Sequence, residues 1–494
     1  MGKDNSEQNR ICGRLCIMIS GVLKAPLLIG SGDNDKTDND VVLNGAGAAF
    51  LPGSSVAGML RHYLKRALEE TDDAEYWVNS MFGAELENNG NLADSVLSNR
   101  QSRIFVYDTD IFNPKLIKRD GVRLGQNKTA EYSAKYDYQV IERGASFQLR
   151  LEIIQRESDM SQKKEVPLLE QIQIAQNRDL NIIKYCIAGI SSGEVRAGAK
   201  SRRGLGKLEV KEVKTTAFYM ILKEQYMEWL SWGWQKENAF TRKNSQVLSN
   251  SSQIMAFCTV HKKQEHCLIV PLKIPGTLLI RQYSSADFQK DTSADSQMIQ
   301  YGIGEESKAV IPGSSWAGAF RNRIAQLVMR LGELSDWDRT QEYLSPFFGT
   351  WKASDEDRTI IPSSLVFEES LVTGGHVLPI TRNSIDRFTG GTVTGALFTE
   401  RVWVGGTTEL IIRFPVTKEK EEISVMLGLL IWAIKDLQEG LLCIGGEGGV
   451  GRGIFEALGD VTLDNELLQD NEYCQAAYTW CKKINGKGAA YVRN

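Results

Sequence analysis

Two short acidic loops hold the side chains best suited to chemistry in this chain. The first, GSGDNDKTDNDVV, places Asp33, Asp35, Asp38 and Asp40 in one turn-rich stretch. Crowded carboxylates repel one another and together attract a hard divalent cation, Mg2+ or Mn2+, which can offset charge on a phosphate being cleaved. A merely solvated acidic loop is the plainer alternative. The second loop, DFQKDTSADSQMIQYG, carries Asp291 and Asp295. Its Asp295-Ser296-Gln297-Met298-Ile299 runs alongside Asp38-Asn39-Asp40-Val41-Val42, although Asp295 sits three residues farther from the turn that follows. None of the four histidines falls in either loop, which argues against a histidine-pair ribonuclease mechanism.

A second group of residues suits anion binding. Pro52-Gly53-Ser54-Ser55 and Pro312-Gly313-Ser314-Ser315 each lead into an apolar-periodic run. A helix N-terminus there offers free N–H groups, its dipole and two hydroxyls to a phosphate. Arg61 and Arg321 lie about two turns further on, within reach of a backbone phosphate or a partner carboxylate. Near the end of each half comes a glycine-rich stretch. The first offers Lys200, Ser201, Arg202 and Arg203 among glycines; the second keeps Gly448, Gly449 and Arg452 but loses most of the charge. Neither is a P-loop, because no Gly-Lys-Ser/Thr follows. Arg119, Arg123, Arg382 and Arg387 flank Gly- and Thr-rich segments at about 124–135 and 387–397, where ordinary surface arginines are the alternative to phosphate contacts. Cys258, His261, His266 and Cys267 resemble a zinc spacing, but the first half has no matching histidine pair.

The elements that must position these residues follow from an internal repeat. PGSSVAGMLR at 52–61 answers PGSSWAGAFR at 312–321, and Cys16–Ile29 answers Cys267–Ile280. Phe82-Gly83, the strand after Ser102, the segment from Arg119 to Thr129 and the glycine-rich Gly198–Lys207 recur in the same order. Their counterparts are Phe348-Gly349, Ser363, Arg382–Thr392 and Gly445–Ile454. The duplication gives modules at 10–215 and 255–460, a linker with a Trp-rich helix at 216–254, and an extension at 461–494. In the first module the periodicity reads strand, helix, strand, strand, helix, strand: Leu15–Leu23, a helix carrying Val56, Leu60, Tyr63 and Leu64, Arg103–Tyr107, Ser146–Ile153, Leu168–Ile187 and Leu205–Val213. That order predicts an α+β chain of two tandem ferredoxin-like modules. The long segment between the middle strands should project as a hairpin arm.

With 494 residues, 42% hydrophobic and 24% charged, the composition is that of globular domains. The net charge of −4 supplies no global basic field, so any nucleic-acid contact must be local. The polar start, MGKDNSEQNR, lacks a secretory signal pattern, and no apolar run is long enough to span a bilayer. Eight scattered cysteines read as reduced thiols in a cytoplasmic protein.

Taken together, the PGSS turns with Gly58 and Arg61, Phe82-Gly83, Arg119–Thr129 and Gly198–Gly206 resemble the RAMP superfamily. More narrowly they look like the backbone subunits of type III CRISPR effectors, with the two-module arrangement similar to the double backbone subunit of type III-D systems. The resemblance implies a chain that binds a CRISPR guide RNA, meets complementary target RNA and other effector subunits, and does not associate with membranes. It implies hairpin "thumbs" that interrupt the guide–target duplex. Measured back from the PGSS turn, it implies that Asp38, and in the second module Asp295, hold a divalent metal and cut target RNA, the 2′-hydroxyl attacking to leave a cyclic phosphate. A non-cutting structural subunit is the alternative. A precursor-processing nuclease is disfavoured by the lack of a histidine or lysine–tyrosine acid–base set.

Overall fold

The computed structural model describes residues 10–32, 36–69, 73–84, 101–160, 166–258, 263–282, 294–302, 306–351 and 360–485. The opening strand, Ile11–Leu23, is almost continuously apolar because both of its faces are covered. Leu15, Ile17 and Ile19 point into the helix-side core, while Met18 packs under Phe240 with Trp232 and Trp234 on the other face. The strand lies between Ser146–Arg156 and the closing strand Leu208–Tyr219, antiparallel to both. Ile104–Val106 pairs on the outer side of Ser146–Arg156. Numbering these four in chain order gives 4-1-3-2, the ferredoxin-like order expected. Two helices cover one face. The first, Gly53–Ala67, buries Val56, Leu60, Tyr63 and Leu64 at helical spacing. The second, Leu168–Ser192, stops at Gly193, whose φ of 76° is the left-handed turn that ends a helix.

The second module repeats the plan. Glu265–Lys273 lies between Thr407–Pro415 and the short strands Glu456–Ala457 and Thr462–Leu463, with Val366–Phe367 beyond Thr407–Pro415. Its helices are Gly313–Leu331 and Lys420–Gln438. The extension contributes a third helix, Asn471–Asn485, which buries Ala477, Cys481 and Ile484 in the same core. Among the described residues no helix is long and apolar enough to cross a membrane.

Two expectations change. The end of the 216–254 stretch read as linker is built into the first module: Ser245–Leu248 adds an edge strand beside Leu208–Tyr219, and Asn250 caps the helix Ser251–Phe257 by accepting from Gln253 N–H at 2.9 Å. The arms are hairpins, Leu116–Leu124 with Ala130–Ile141 and His376–Arg382 with Phe398–Val404, but their register differs from the repeat read in the sequence. Leu116 pairs with Ile141, the residue that bridges Leu27, and Val377 pairs with Trp403, the residue that bridges Leu278. Arg119 therefore corresponds to Ile380, and Arg382 stands one pleat nearer its tip.

The modules dock through unlike faces. Glu368, buried on the second module, receives Lys207 at 2.7 Å and Arg196 at 3.7 Å from the first, and Arg413 from its own sheet at 2.6 Å. Burial alone would raise its carboxyl; Lys207, Arg413 and Arg196 hold it near about 2 instead. Arg196 also pairs with Glu265 at 3.2 Å. Glu369 takes both Arg143 and Arg119. Asn322 donates to the carbonyls of Gly125 and Gln126, so the first hairpin's tip rests on the second module's first helix.

Candidate RNA interface and paired acidic sites

Asp38 is exposed at the base of the first hairpin. Its main-chain N–H donates to Asp137 Oδ1 at 3.0 Å, and the Asp137 N–H donates back to Asp38 Oδ2 at 2.8 Å. Around this clamp stand Lys118, paired with Asp137, and Asp120, paired with Lys135 at 3.7 Å. The Lys118 hydrogen bond holds the Asp137 carboxyl below the usual range. Asp40 has turned inward: its carboxylate accepts from the N–H groups of Lys36 and Thr37 and from the Thr37 hydroxyl, closing the loop on itself. Asp33 and Asp35 lie outside the described residues.

Asp295 occupies the equivalent place. Its N–H donates to Thr399 O at 2.8 Å, and Thr399 N–H donates to Asp295 Oδ2 at 2.7 Å. The flanking ladder agrees. Gly30 bridges Val41 as Arg281 pairs with Met298, and Val42 N–H donates to Ile29 O as Ile299 N–H does to Ile280 O. Asp291 lies outside the described residues. The two sites differ in charge: beside Asp295 stand Thr399 and Thr381, hydroxyls 2.9 Å apart, where the first site has Asp137 and Asp120. Among the described residues no three acidic, histidine or cysteine side chains converge on one point. Among the described residues Asp38 and Asp295 are the carboxylates placed to meet a divalent ion, which would complete its shell with water and phosphate oxygens, as Mg2+ commonly does.

The candidate phosphate-binding residues divide into two sets. One set converges on a cavity of about 50 Å³ between the modules, lined by Arg119, Lys200 and Arg203 from the first and Arg281, Ser314 and Ser315 from the second. Lys200 takes a left-handed backbone, φ 56°, and sets its ammonium 3.7 Å from the centre of the Tyr138 ring and 4.2 Å from that of Tyr136. Burial, helped by the charge of Arg203, brings it down to about 8. Arg203 is exposed and donates to the Tyr136 hydroxyl at 3.2 Å. Arg281 was not foreseen; it aligns with Gly30, so the repeat carried no signal for it, and it too has internal partners, Glu400 at 3.1 Å and Glu447 at 2.8 Å.

The other set has internal partners, and several expectations are corrected. Arg119 is only 4% exposed, held by Glu142 and Glu369, with Nε and Nη1 lacking hydrogen bonds; it borders the cavity from within and is no free surface grip. Arg452 is likewise 4% exposed, bound to Glu400 and Glu447. Arg382 joins that network through the same two carboxylates. Burial would raise Glu400, but Arg452, Arg281 and Arg382 hold it near about 2. Gly53 spends its N–H on Asp108 Oδ1 at 2.8 Å, so the first helix start already holds a carboxylate. A Cβ on Gly53 or Gly313 would stand 2.2 Å from Val106 O or 2.1 Å from Phe367 O; both glycines are there for that close approach.

The remaining residues are placed as follows. Arg61 donates to Asn79 and Arg321 to Gln341 and Phe348 O, tying each first helix to the next. Burial and Arg203 lower Arg321 to about 10. Arg202 is half-buried; burial lowers its pKa from the ordinary arginine value, and Glu265 offsets part of that. Ser54, Ser55, Gly448 and Gly449 are exposed, as are Arg123, 3.5 Å from Glu131, and Arg387; Ser201 is half-buried. Of the zinc-like residues, Cys258 is in the first module's core while His266 bonds Asp464 at 2.6 Å; His261 lies outside the described residues.

No curated protein matches the chain. The family profile of the RAMP superfamily matches it over residues 22–209 and 302–456, one stretch in each module.

Proposed function

The chain belongs to the RAMP superfamily, CRISPR-associated RNA-binding proteins, and on that premise we propose that it is a backbone subunit of a type III effector that cuts target RNA at two sites. The observation that carries the reading is the duplication of one geometry. Each module fixes a single carboxylate, Asp38 or Asp295, to the backbone of a projecting hairpin through a reciprocal pair of hydrogen bonds.

The guide backbone passes the inter-module cavity, where Lys200, Arg203, Arg281 and the hydroxyls of Ser314 and Ser315 face one another. The hairpins part the guide–target duplex, so that one target phosphate lies beside each carboxylate. Asp38 and Asp295 would hold Mg2+ or Mn2+, which when bound offsets the charge developing on that phosphate. The hairpin turns the target so that a 2′-oxygen lies in line with the neighbouring phosphorus. The new O2′–P bond forms as P–O5′ breaks; the 2′-hydroxyl gives up its proton and O5′ gains one, leaving a 2′,3′-cyclic phosphate and a 5′-hydroxyl. The docked modules keep the two cuts a fixed distance apart. The tandem arrangement points to the double backbone subunit of type III-D systems.

The test is a reconstituted complex with guide, labelled target and Mg2+ or Mn2+. Asp38→Ala and Asp295→Ala should each remove one of two cuts and leave the other. Persistence of every fragment in both variants would reduce the chain to a structural RNA-binding subunit. The sparser surroundings of Asp295 favour a second reading for its module alone, in which it binds target and cuts slowly.

A further inference from the structure

Glu400 is only 2% exposed, and it ties together elements on both sides of the second acidic loop. Arg281, on the strand that enters the loop, donates to its carboxylate at 3.1 Å. Ser296, the residue after Asp295, pairs with Glu400 across the sheet and sets its hydroxyl 3.5 Å from the same oxygen. Arg382 reaches the other oxygen from the facing strand of the hairpin, and Arg452 reaches it at 2.7 Å from the glycine-rich loop. Glu400 also follows Thr399, whose N–H and carbonyl clamp Asp295.

Glu447 closes the group from the glycine-rich loop. It takes a left-handed backbone, φ 60°, and faces Arg281 at 2.8 Å, Arg382 at 2.7 Å and Arg452 at 2.6 Å. The first module joins the same two places with other chemistry. Lys200 stands where Glu447 does and is also left-handed; Tyr138 stands where Glu400 does, pairing with Arg119 as Glu400 pairs with Ile380. The Lys200 ammonium lies 3.7 Å from the centre of the Tyr138 ring, and Tyr138 follows Asp137, which clamps Asp38. In each module a left-handed residue of the glycine-rich loop is thus braced against the residue that follows the clamp. The link survives a complete change of side chains, so the link itself is the common feature. Apolar residues would pack there without the desolvation that buried Glu400 and Arg452 incur, so stability alone does not account for the ionic version.

We propose that Glu400 is a positioning residue for the second cut. Through Arg281 and Ser296 it holds both ends of the Asp295 loop to the hairpin, and through Arg452 and Glu447 it braces them against the glycine-rich loop. It acts through these neighbours and not on the phosphate. The assignment rests on the cutting role proposed for Asp295. The charge of the group separates this role from general folding. Three arginines and two glutamates leave one positive charge, and Arg281 lines the inter-module cavity. Removing one glutamate loosens the loop while adding positive charge where the guide is proposed to pass.

Glu400→Gln keeps the side chain's size and removes its charge. In the full complex with guide, target and Mg2+, the second cut under single-turnover conditions should slow by about tenfold or more, while the first cut keeps its rate. Guide affinity should stay equal or tighten. Glu447→Gln, at a less buried position, should act in the same direction with a smaller effect, and Glu400→Asp should recover part of the rate. An unaltered second cut in Glu400→Gln overturns the assignment. So does a joint fall of both cuts and of guide affinity, which is what a purely structural residue would give. In the isolated full chain, amide exchange at Asp295 and Thr399 should be faster in Glu400→Gln, with Asp38 and Asp137 exchanging as before; unchanged exchange at Asp295 overturns the positioning whatever the cuts do. Faster exchange there, together with an unaltered complex that leaves the target whole, overturns the cutting reading and not the bracing.

Discussion

Asp38 and Asp137 are tied to each other twice, the main-chain N–H of each donating to the other's carboxylate at 3.0 Å and 2.8 Å. One oxygen of Asp38 is thereby spent on architecture and the other is left for chemistry. Asp295 is held in the same way but by Thr399, whose contribution is a carbonyl and an N–H instead of a second acid. The clamp fixes the carboxylate relative to the hairpin, so the two move as one body; in the proposed function they are the group that acts on the target and the element that parts the duplex.

A substitution that keeps the clamp and removes the charge separates the two roles. In Asp38→Asn the amide oxygen still accepts from Asp137 N–H, whereas Asp38→Ala loses that bond. Both should lower the first cut by about 100-fold or more, the equivalent of a few kcal/mol of barrier. Only the alanine variant should also loosen the loop, seen as faster amide exchange at Asp137. Equal loosening in both variants would mean that the carboxylate charge, not the hydrogen bond, holds the loop. Asp295→Asn should remove the second cut alone.

If Lys200 grips the guide as proposed, that contact depends on pH. Its folded value, about 8, lies below that of an exposed lysine. Between about pH 8 and the ordinary lysine value the unfolded chain binds more protons, so the residue's contribution to stability rises with pH through that window. Its charge falls over the same window, and with it the attraction for phosphate. Guide affinity measured from pH 7 to 9 should weaken toward the alkaline end. Lys200→Met should flatten that profile and reduce the salt slope by about one.

The repeat made the two modules, their strand order and the equivalence of Asp38 and Asp295 legible before any coordinates. The extra residues before Pro312, which blurred Asp295, are taken up where Gln300–Tyr301 folds back on Lys308–Ile311. What stayed hidden has physical causes. A hairpin read two residues out of register keeps every side chain on its face, so matching Arg119 to Arg382 violated no pattern. An arginine buried among carboxylates, such as Arg119 or Arg452, carries the same letter as one on the surface; its partners Glu369 and Glu400 are distant in sequence. The inter-module cavity joins residues of both repeats, which a comparison of one repeat with the other does not reveal.

Breaking the inter-module ion cluster should be costly because its members are out of water. Glu369 faces Arg119 and Arg143, with Arg119 4% exposed. Glu369→Ala leaves two buried arginines, Arg119 and Arg143, to share Glu142 as a counter-charge and should lower unfolding free energy by about 3 kcal/mol. Urea denaturation reads this as a lower midpoint, or as a split transition if the modules then unfold separately. Pairing it with Arg119→Met should restore most of the loss, since an apolar side chain needs no partner there.

The hairpin tips carry the last prediction. Tyr132 is 100% and Phe388 99% exposed, which leaves both rings free to stack on a ligand. Phe388 sits on a turn that Asp386 stiffens by accepting from the N–H groups of Phe388 and Thr389 at 2.9 Å and 2.7 Å, so the ring is held out from a rigid support. Stacking of such a ring on a base is worth about 1–3 kcal/mol. Phe388→Ala and Tyr132→Ala should therefore weaken target binding by roughly tenfold to a hundredfold while leaving affinity for guide alone unchanged, if the guide runs along the inter-module cavity as proposed. Phe388→Trp should restore binding. Weakening of guide binding by the same factor would place these rings on the guide path instead of between target bases.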